Sequence, residues 1–219
     1  MKIAVLGTGM VGVTIASKLI ELGHEVKLGS RSATNEKAEA WMGKNGRNAS
    51  QGTFADAAKF GEVVFNCTKG VACLEVLKLA GAENLKGKIL IDVSNPLDDS
   101  KGMPPSLAVS NTDSLGEQIQ RAFPDVKVVK TLNTMWCGIM VNPRMLPETT
   151  NVYLSGNDAD AKATVKGILK SFGWQEEEML DLGDITTARG SESVLPIWLR
   201  VWMATGNGAF NFKIVAAQQ

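Results

Sequence analysis

An α/β fold, a doubly wound and mostly parallel sheet with a small lobe at its carboxyl end, is what this 219-residue sequence predicts. Three observations carry the prediction. Apolar runs of strand length alternate with segments of helical period, the signature of βαβ units. Gly7, Gly9 and Gly12, spaced G-x-G-x-x-G, lie between the first such run and the first helical segment, the context in which those glycines bind a dinucleotide. Beyond about residue 150 the alternation changes, ending in a long segment with an apolar stripe.

The first strand, KIAVLG (2–7), ends at Gly7. The helix after it, GMVGVTIASKLIEL, aligns Val11, Ile15, Leu19 and Leu22 on one face that packs on the sheet. HEVKLGS (24–30), EVVFNC (62–67), GKILIDVS (87–94) and VKVVKTLN (126–133) are the next strands. NEKAEAWMGKNG, TFADAAKFG, GVACLEVLKLAG and TDSLGEQIQRAF supply crossover helices, several stopped by glycine. The Pro-, Ser- and Gly-rich SNPLDDSKGMPPSLAVSN (94–111) reads as a loop leaving a strand end, where ligands bind in such folds. These elements define an expected Rossmann dinucleotide-binding domain over 1–150 and a small lobe over 151–219 that closes the cleft. In the lobe, NVYLSGN precedes a helix over DADAKATVKGILKSFG, and EEEMLDLG follows it. Gly190 and Pro196 are expected to break the last segment into two helices, since an interior proline costs a helix about 3 kcal/mol.

Composition narrows the partners. With 44% hydrophobic and 21% charged residues the chain is ordinary globular material. Twenty-three basic and twenty-three acidic side chains cancel, so no net field steers it to nucleic acid or an anionic membrane. Small molecules are the expected partners. No apolar run approaches the roughly 20 residues of a membrane span, and no basic leader precedes the first strand, so a cytoplasmic location is expected. Cys67, Cys73 and Cys137 suit a reducing compartment rather than a disulfide framework, and with His24 the single histidine no metal site is expected.

At the glycine turn, Gly7 permits the tight exit from the strand, Gly9 lets backbone approach the pyrophosphate, and Gly12 lets the helix pack closely. The phosphates then meet the free N–H groups of the helix start. The residue that selects the adenosine ribose is expected at the end of the second strand, where NAD-binding proteins carry a carboxylate. Here stand Ser30, Arg31 and Ser32, hydroxyls and a guanidinium that suit a 2′-phosphate, with Lys37 a turn into the next helix. One good arginine contact, about 1.5 to 3 kcal/mol, favours NADP over NAD on the order of tenfold to a hundredfold. Thr68, Asn95 and Asn133, at the ends of later strands, are the candidates for the nicotinamide end.

No catalytic residue is identified. His24 lies at the strand edge opposite the expected site, and the single tyrosine, Tyr153, lacks the lysine four residues on that short-chain dehydrogenases use. Zinc ligands are too few, and the chain after residue 150 is too short for the helical domain of 3-hydroxyacid dehydrogenases. A hydride site without an evident acid suits an acceptor whose own electronics carry the reaction.

KIAVLGTGMVG, GSRSATNEKAEAW, DVSNPLD, VVKTLNTM and the terminal LPIWLRVWMATGNGAFNFKIV together resemble the NADPH-dependent reductases of 8-hydroxy-5-deazaflavin, coenzyme F420. The resemblance implies direct hydride transfer between nicotinamide C4 and deazaflavin C5 in a cleft under the small lobe, and a homodimer formed through that lobe. It implies pyrophosphate contacts at Thr8, Gly9, Met10 and Val11, and 2′-phosphate contacts at Ser30, Arg31 and Lys37. Archaeal members carry histidine in the segment matching Asn133, where this chain reads LNTMWCGIM. The same Rossmann type occurs in flavin-linked domains of membrane ferric reductases, so a flavin acceptor stays open. So do an NADPH sensor without turnover and a reductase of a small carbonyl or imine. Trp198 and Trp202, four apart, are read as core or dimer packing or as a wall for a flat ring, and Trp136 as a stacking partner.

Overall fold

In the computed structural model, which describes residues 1–217, the short apolar runs become strands because helices cover both of their faces. The strands are β1 (Lys2–Leu6), β2 (Glu25–Ser30), β3 (Ala49–Thr53), β4 (Val63–Asn66), β5 (Ile89–Asp92), β6 (Leu97–Asp98), β7 (Ser106–Leu107), β8 (Lys127–Thr131), β9 (Val152–Ser155) and β10 (Met179–Gly183). The helices are α1 (Met10–Glu21), α2 (Glu36–Asn45), α3 (Phe54–Phe60), α4 (Cys73–Ala80), α5 (Ala82–Leu85), α6 (Leu115–Ala122), α7 (Cys137–Val141), α8 (Ala159–Phe172) and α9 (Ala188–Thr205).

Eight strands form one sheet in the order β10-β9-β8-β5-β4-β1-β2-β3, while β6 and β7 make a small antiparallel pair within the 94–111 loop. Every pairing in the large sheet is parallel except β8 with β9. The chain runs from β1 outward to β2 and β3, then returns to the other side of β1 through β4 and β5. That reversal opens a crevice at the carboxyl ends of β1 and β4.

Alternation along each strand divides the core. In β1, Ile3 and Val5 join Ile15 and Leu19 of α1, Trp41 of α2 and Phe172 of α8. Ala4 and Leu6 join Phe54 of α3, Leu77 of α4 and Ile119 of α6 on the other face. Two sequence-readable caps start their helices cleanly: Asn35 Oδ1 accepts from the N–H groups of Lys37 and Ala38, and Thr53 forms a capping box with Asp56.

The structure departs from the sequence expectation in three places. Residues 49–53 are a strand, unforeseen because ASQGT is polar. It is the sheet edge, paired only with β2, and its stability comes from that ladder rather than from apolar side chains. The boundary expected at residue 150 does not divide the sheet, because β9 and β10 are strands of it, and β9 pairs directly with β8. Pro196 and Gly190 do not break the last segment, which is one 18-residue helix, α9. Proline removes one N–H, and the buried residues on either side of it, Glu192, Leu195 and Leu199, fasten the helix across that gap.

Glu192 is the firmest of those fastenings. Its carboxylate accepts from the N–H groups of Leu115 (2.8 Å) and Gly116 (3.0 Å) at the start of α6, and lies 2.8 Å from Lys130 Nζ in β8. Beside it, Arg189 Nε and Nη2 reach both oxygens of Glu117, at 2.8 and 2.5 Å. This guanidinium pairing, helped by the Ser114 hydroxyl, holds the Glu117 carboxyl below its ordinary pKa.

Candidate active site

The turn after β1 has the strained backbone that its glycines permit. Gly7 has φ +113°, its N–H donates to Gly29 O at 2.9 Å, and a Cβ there would lie 2.8 Å from Cys67 O. A Cβ on Gly12 would stand 2.1 Å from Gly7 O, so a side chain would force α1 away from the turn. Gly9 differs, since nothing lies within 4 Å of where its Cβ would be. It is also the N-cap of α1 and makes no side-chain cap bond, so the first-turn N–H groups are free for an anion. Bare backbone, free N–H groups and a helix start together fit a pyrophosphate.

From this turn a hollow of about 520 Å³ runs between α1 and α2, lined by Thr8, Gly9, Met10, Lys37 and Trp41. Trp41 is fixed as its wall by the bond from Nε1 to Ser17 Oγ at 3.1 Å. At the β2–α2 turn, Arg31 and Lys37 are exposed, and neither side chain enters an ion pair or hydrogen bond among the described residues. The two serines expected as phosphate donors are engaged elsewhere. Ser30 Oγ donates to Ser32 O (2.6 Å) and accepts from Ser32 N, and Ser32 Oγ donates to Thr34 O (2.7 Å). Short hydroxyl side chains close turns in this way, which leaves the two cations as the groups presented to an anion.

Thr68, Asn95 and Asn133 do meet. With Met10 and Val11 they line a cleft of about 420 Å³ at the carboxyl ends of β1, β4, β5 and β8. The register sets a polar row beneath its floor, Asn66 beside Asp92 and Asp92 beside Lys130. Asn66 Nδ2 donates to Asp92 Oδ1 (2.7 Å), and Lys130 Nζ donates to Asp92 Oδ2 (2.7 Å) and Ser94 O (2.6 Å). Lys130 is fully buried; burial works against its ammonium, but the Asp92 and Glu192 carboxylates outweigh that and raise its pKa. Thr68 hangs from this row through Asn66, and Asn95 and Asn133 clasp each other.

Local backbone aims these groups. Leu132 has φ +62°, a left-handed conformation unusual for a bulky residue, at the point where β8 hands over to Asn133. Gly70 packs so tightly that a Cβ would fall 1.9 Å from Asn95 O. Asn66, Asp92, Lys130 and Leu132 were not singled out from the sequence. The available signal was a charge at or next to the carboxyl end of each of two apolar strands, ILID and KVVKT.

A second hollow of about 460 Å³ adjoins the first and shares Met10, Trp136 and Trp198 with it. Its far wall is Trp202 and the Gly206–Ala209 segment. Trp198 stacks on Trp202 (centroids 6.2 Å apart) and on Phe210 (5.4 Å), so the aromatic stripe of α9 is a wall of the site. The tail after α9 is pinned by Asn211 Nδ2 to Thr150 Oγ1 and Asn151 O. At the rim, Lys69 and Asp99 pair at 2.6 Å. Cys67 and Cys73 are pushed up, by burial first and then by the Asp92 carboxylate, so both are neutral thiols. His24 lies at the other end of the sheet, 3.5 Å from the amino terminus. No group of three or more metal-ligating side chains is found among the described residues, nor a helix long and apolar enough to cross a membrane.

Residues 2–96 match the family described as NADP oxidoreductase coenzyme F420-dependent. A crystal structure of a candidate F420-dependent NADP-reductase from Arthrobacter sp. FB24 is 52% identical, covering 99% of this chain and 100% of that one, with a TM-score of 0.93. Metalloreductase STEAP3 of Rattus norvegicus is 29% identical over 204 residues, 90% of this chain; the chain spans 38% of that relative's length. A reductive aminase from Aspergillus terreus, 19% identical over 93% of this chain and 62% of its own, shares the fold with a TM-score of 0.67.

Proposed function

This chain belongs to the family of coenzyme F420-dependent NADP oxidoreductases, and on that premise we propose that it is an enzyme passing a hydride between NADP(H) and a deazaflavin, coenzyme F420, or a flavin-like ring. Bound NADP(H) supplies or takes up that hydride at its nicotinamide ring. The observation that carries the reading is the continuity of the two hollows through Met10, Trp136 and Trp198, which gives space for two flat rings side by side.

In this reading the Gly9 backbone and the start of α1 bind the pyrophosphate, and Arg31 and Lys37 bind the 2′-phosphate. Thr68, Asn95 and Asn133 receive the nicotinamide, while Trp136 and Trp198 hold the second ring and exclude water. The polar floor consists of amides and a hydroxyl, groups that orient a ring and do not exchange protons near neutral pH. A ring acceptor needs orientation and a dry site rather than a protein acid, which is what such a floor supplies.

The test is spectroscopic. Purified protein with NADPH should bleach the visible band of oxidised coenzyme F420, with FMN tried in parallel. Trp136→Ala should slow that turnover about tenfold, the scale of one aromatic contact, while sparing NADPH affinity. Intact NADPH binding with no bleaching in either cuvette would overturn the deazaflavin and flavin acceptors and leave a sensor of NADPH or a reductase of another acceptor.

A further inference from the structure

We propose that the cleft floor recognises the cofactor's reacting ring through its carboxamide, Thr68 Oγ1 and Asn133 Oδ1 forming a pair of acceptors for the amide N–H groups. The inference rests on the reading of this cleft as the nicotinamide end of an NADP(H) site. It makes Thr68 and Asn133 specificity-determining contacts and gives Asn66, Asp92, Lys130 and Asn95 the task of setting their polarity.

The polarity follows from a chain of bonds that begins at a group with no choice. Lys130 Nζ can only donate, and it donates to Asp92 Oδ2 at 2.7 Å. Asp92 also receives Ser94 Oγ (2.7 Å), Ser94 N (3.2 Å) and Asn66 Nδ2 (2.7 Å), all on Oδ1. Its carboxylate is surrounded by donors, so Asn66 must present its NH2 to Asp92 and its Oδ1 to the other side. That oxygen accepts from Thr68 N (3.3 Å) and Thr68 Oγ1 (2.6 Å). The Thr68 hydroxyl proton is thereby used, and the cleft meets only its lone pairs.

A second chain sets Asn133. Its backbone carbonyl accepts from Asn95 Nδ2 at 2.7 Å, which fixes which way round the Asn95 amide stands. Asn95 Oδ1 then accepts from Asn133 Nδ2 at 2.9 Å. Asn133 Oδ1 is left buried and without a partner, on a residue that lines the cleft and is 1% exposed. A buried carbonyl oxygen left unpaired is costly, and a ligand N–H relieves it. Two fixed acceptors on one floor match a primary amide, clash with a carboxylate, and gain nothing from a methyl ketone.

Three dinucleotides identical except at that group test the inference: NADP+, its 3-acetylpyridine analogue, and its nicotinic acid analogue. Their dissociation constants would be measured by calorimetry on the wild-type chain and on Thr68→Val and Thr68→Ser. The wild type should bind the ketone about tenfold and the acid on the order of a hundredfold more weakly than NADP+. Thr68→Val should bring the ketone-to-amide ratio toward one, and Thr68→Ser, which keeps the oxygen, should preserve it. Because each ratio is taken within one variant, general damage to the fold cancels. Equal binding of ketone and amide by the wild type, or a ratio unmoved in Thr68→Val, overturns the inference while NADP+ still binds. Failure of NADP+ itself to bind overturns the nicotinamide reading beneath it as well.

Discussion

Arg31 stands exposed at the β2–α2 turn with no carboxylate partner among the described residues, while its neighbours Ser30 and Ser32 bond within the turn. A 2′-phosphate contacted by this guanidinium gains about 1.5 to 3 kcal/mol. Arg31→Asp should therefore weaken NADPH binding on the order of tenfold to a hundredfold and leave NADH nearly unchanged, as read by titration calorimetry. Equal losses for both nucleotides would remove Arg31 from the site. The glycine turn and Arg31 were legible in the sequence because their effects are local: a steric requirement of three backbone positions and the charge of one side chain. Leu132 was not legible. Nothing about leucine announces a left-handed φ, which the packing of β8 and the loop after it imposes. The close contact of Gly138 is of the same kind. A Cβ there would lie 2.3 Å from Trp136 Cζ3, so this glycine lets the indole fold back over the start of α7.

Among the elements, α9 joins the sheet to the site. Its first half holds Glu192 against Lys130 and the start of α6, and its middle supplies Leu195, Trp198 and Leu199 to the cleft. Lys130→Met would leave Asp92 and Glu192 buried without their shared cation, and breaking a buried ion pair in this way costs about 3 to 5 kcal/mol. Urea unfolding should show that loss, and a loss under about 1 kcal/mol would mean that the ammonium contributes little. Most elements were legible as periodicity: five strands and the helices between them appear close to where the apolar pattern puts them. The exceptions have one cause. The edge strand β3, the membership of β9 and β10 in the main sheet, and the unbroken α9 all depend on neighbours supplied by distant parts of the chain. In α9 the local penalty of Pro196 is outweighed by contacts on both sides of it.

At the scale of the whole molecule, the second half of α9 leaves Ile197, Trp202 and Met203 partly exposed, and the tail adds exposed Ile214 and Val215. Large apolar side chains left exposed at the carboxyl end of the chain suit an interaction surface, and the family resemblance implies a second copy as its occupant. Light scattering should then give twice the 23.4 kDa of one chain, and Ile197→Glu with Met203→Glu should return it to the single-chain mass. A wild-type chain that scatters as one copy would remove the dimer. By itself the sequence determined the α/β class, the glycine turn, the basic residues at the end of β2, and which strand ends carry small polar groups. All of these follow from periodicity, backbone sterics and charge over a few residues. Only the tertiary structure decided that Asn66, Asp92 and Lys130 form one row, that Asn95 and Asn133 clasp, and that an unbroken α9 walls the cleft. Asp92 and Lys130 are 38 positions apart in the chain, and parallel β-pairing with its register is what brings their side chains within hydrogen-bond reach.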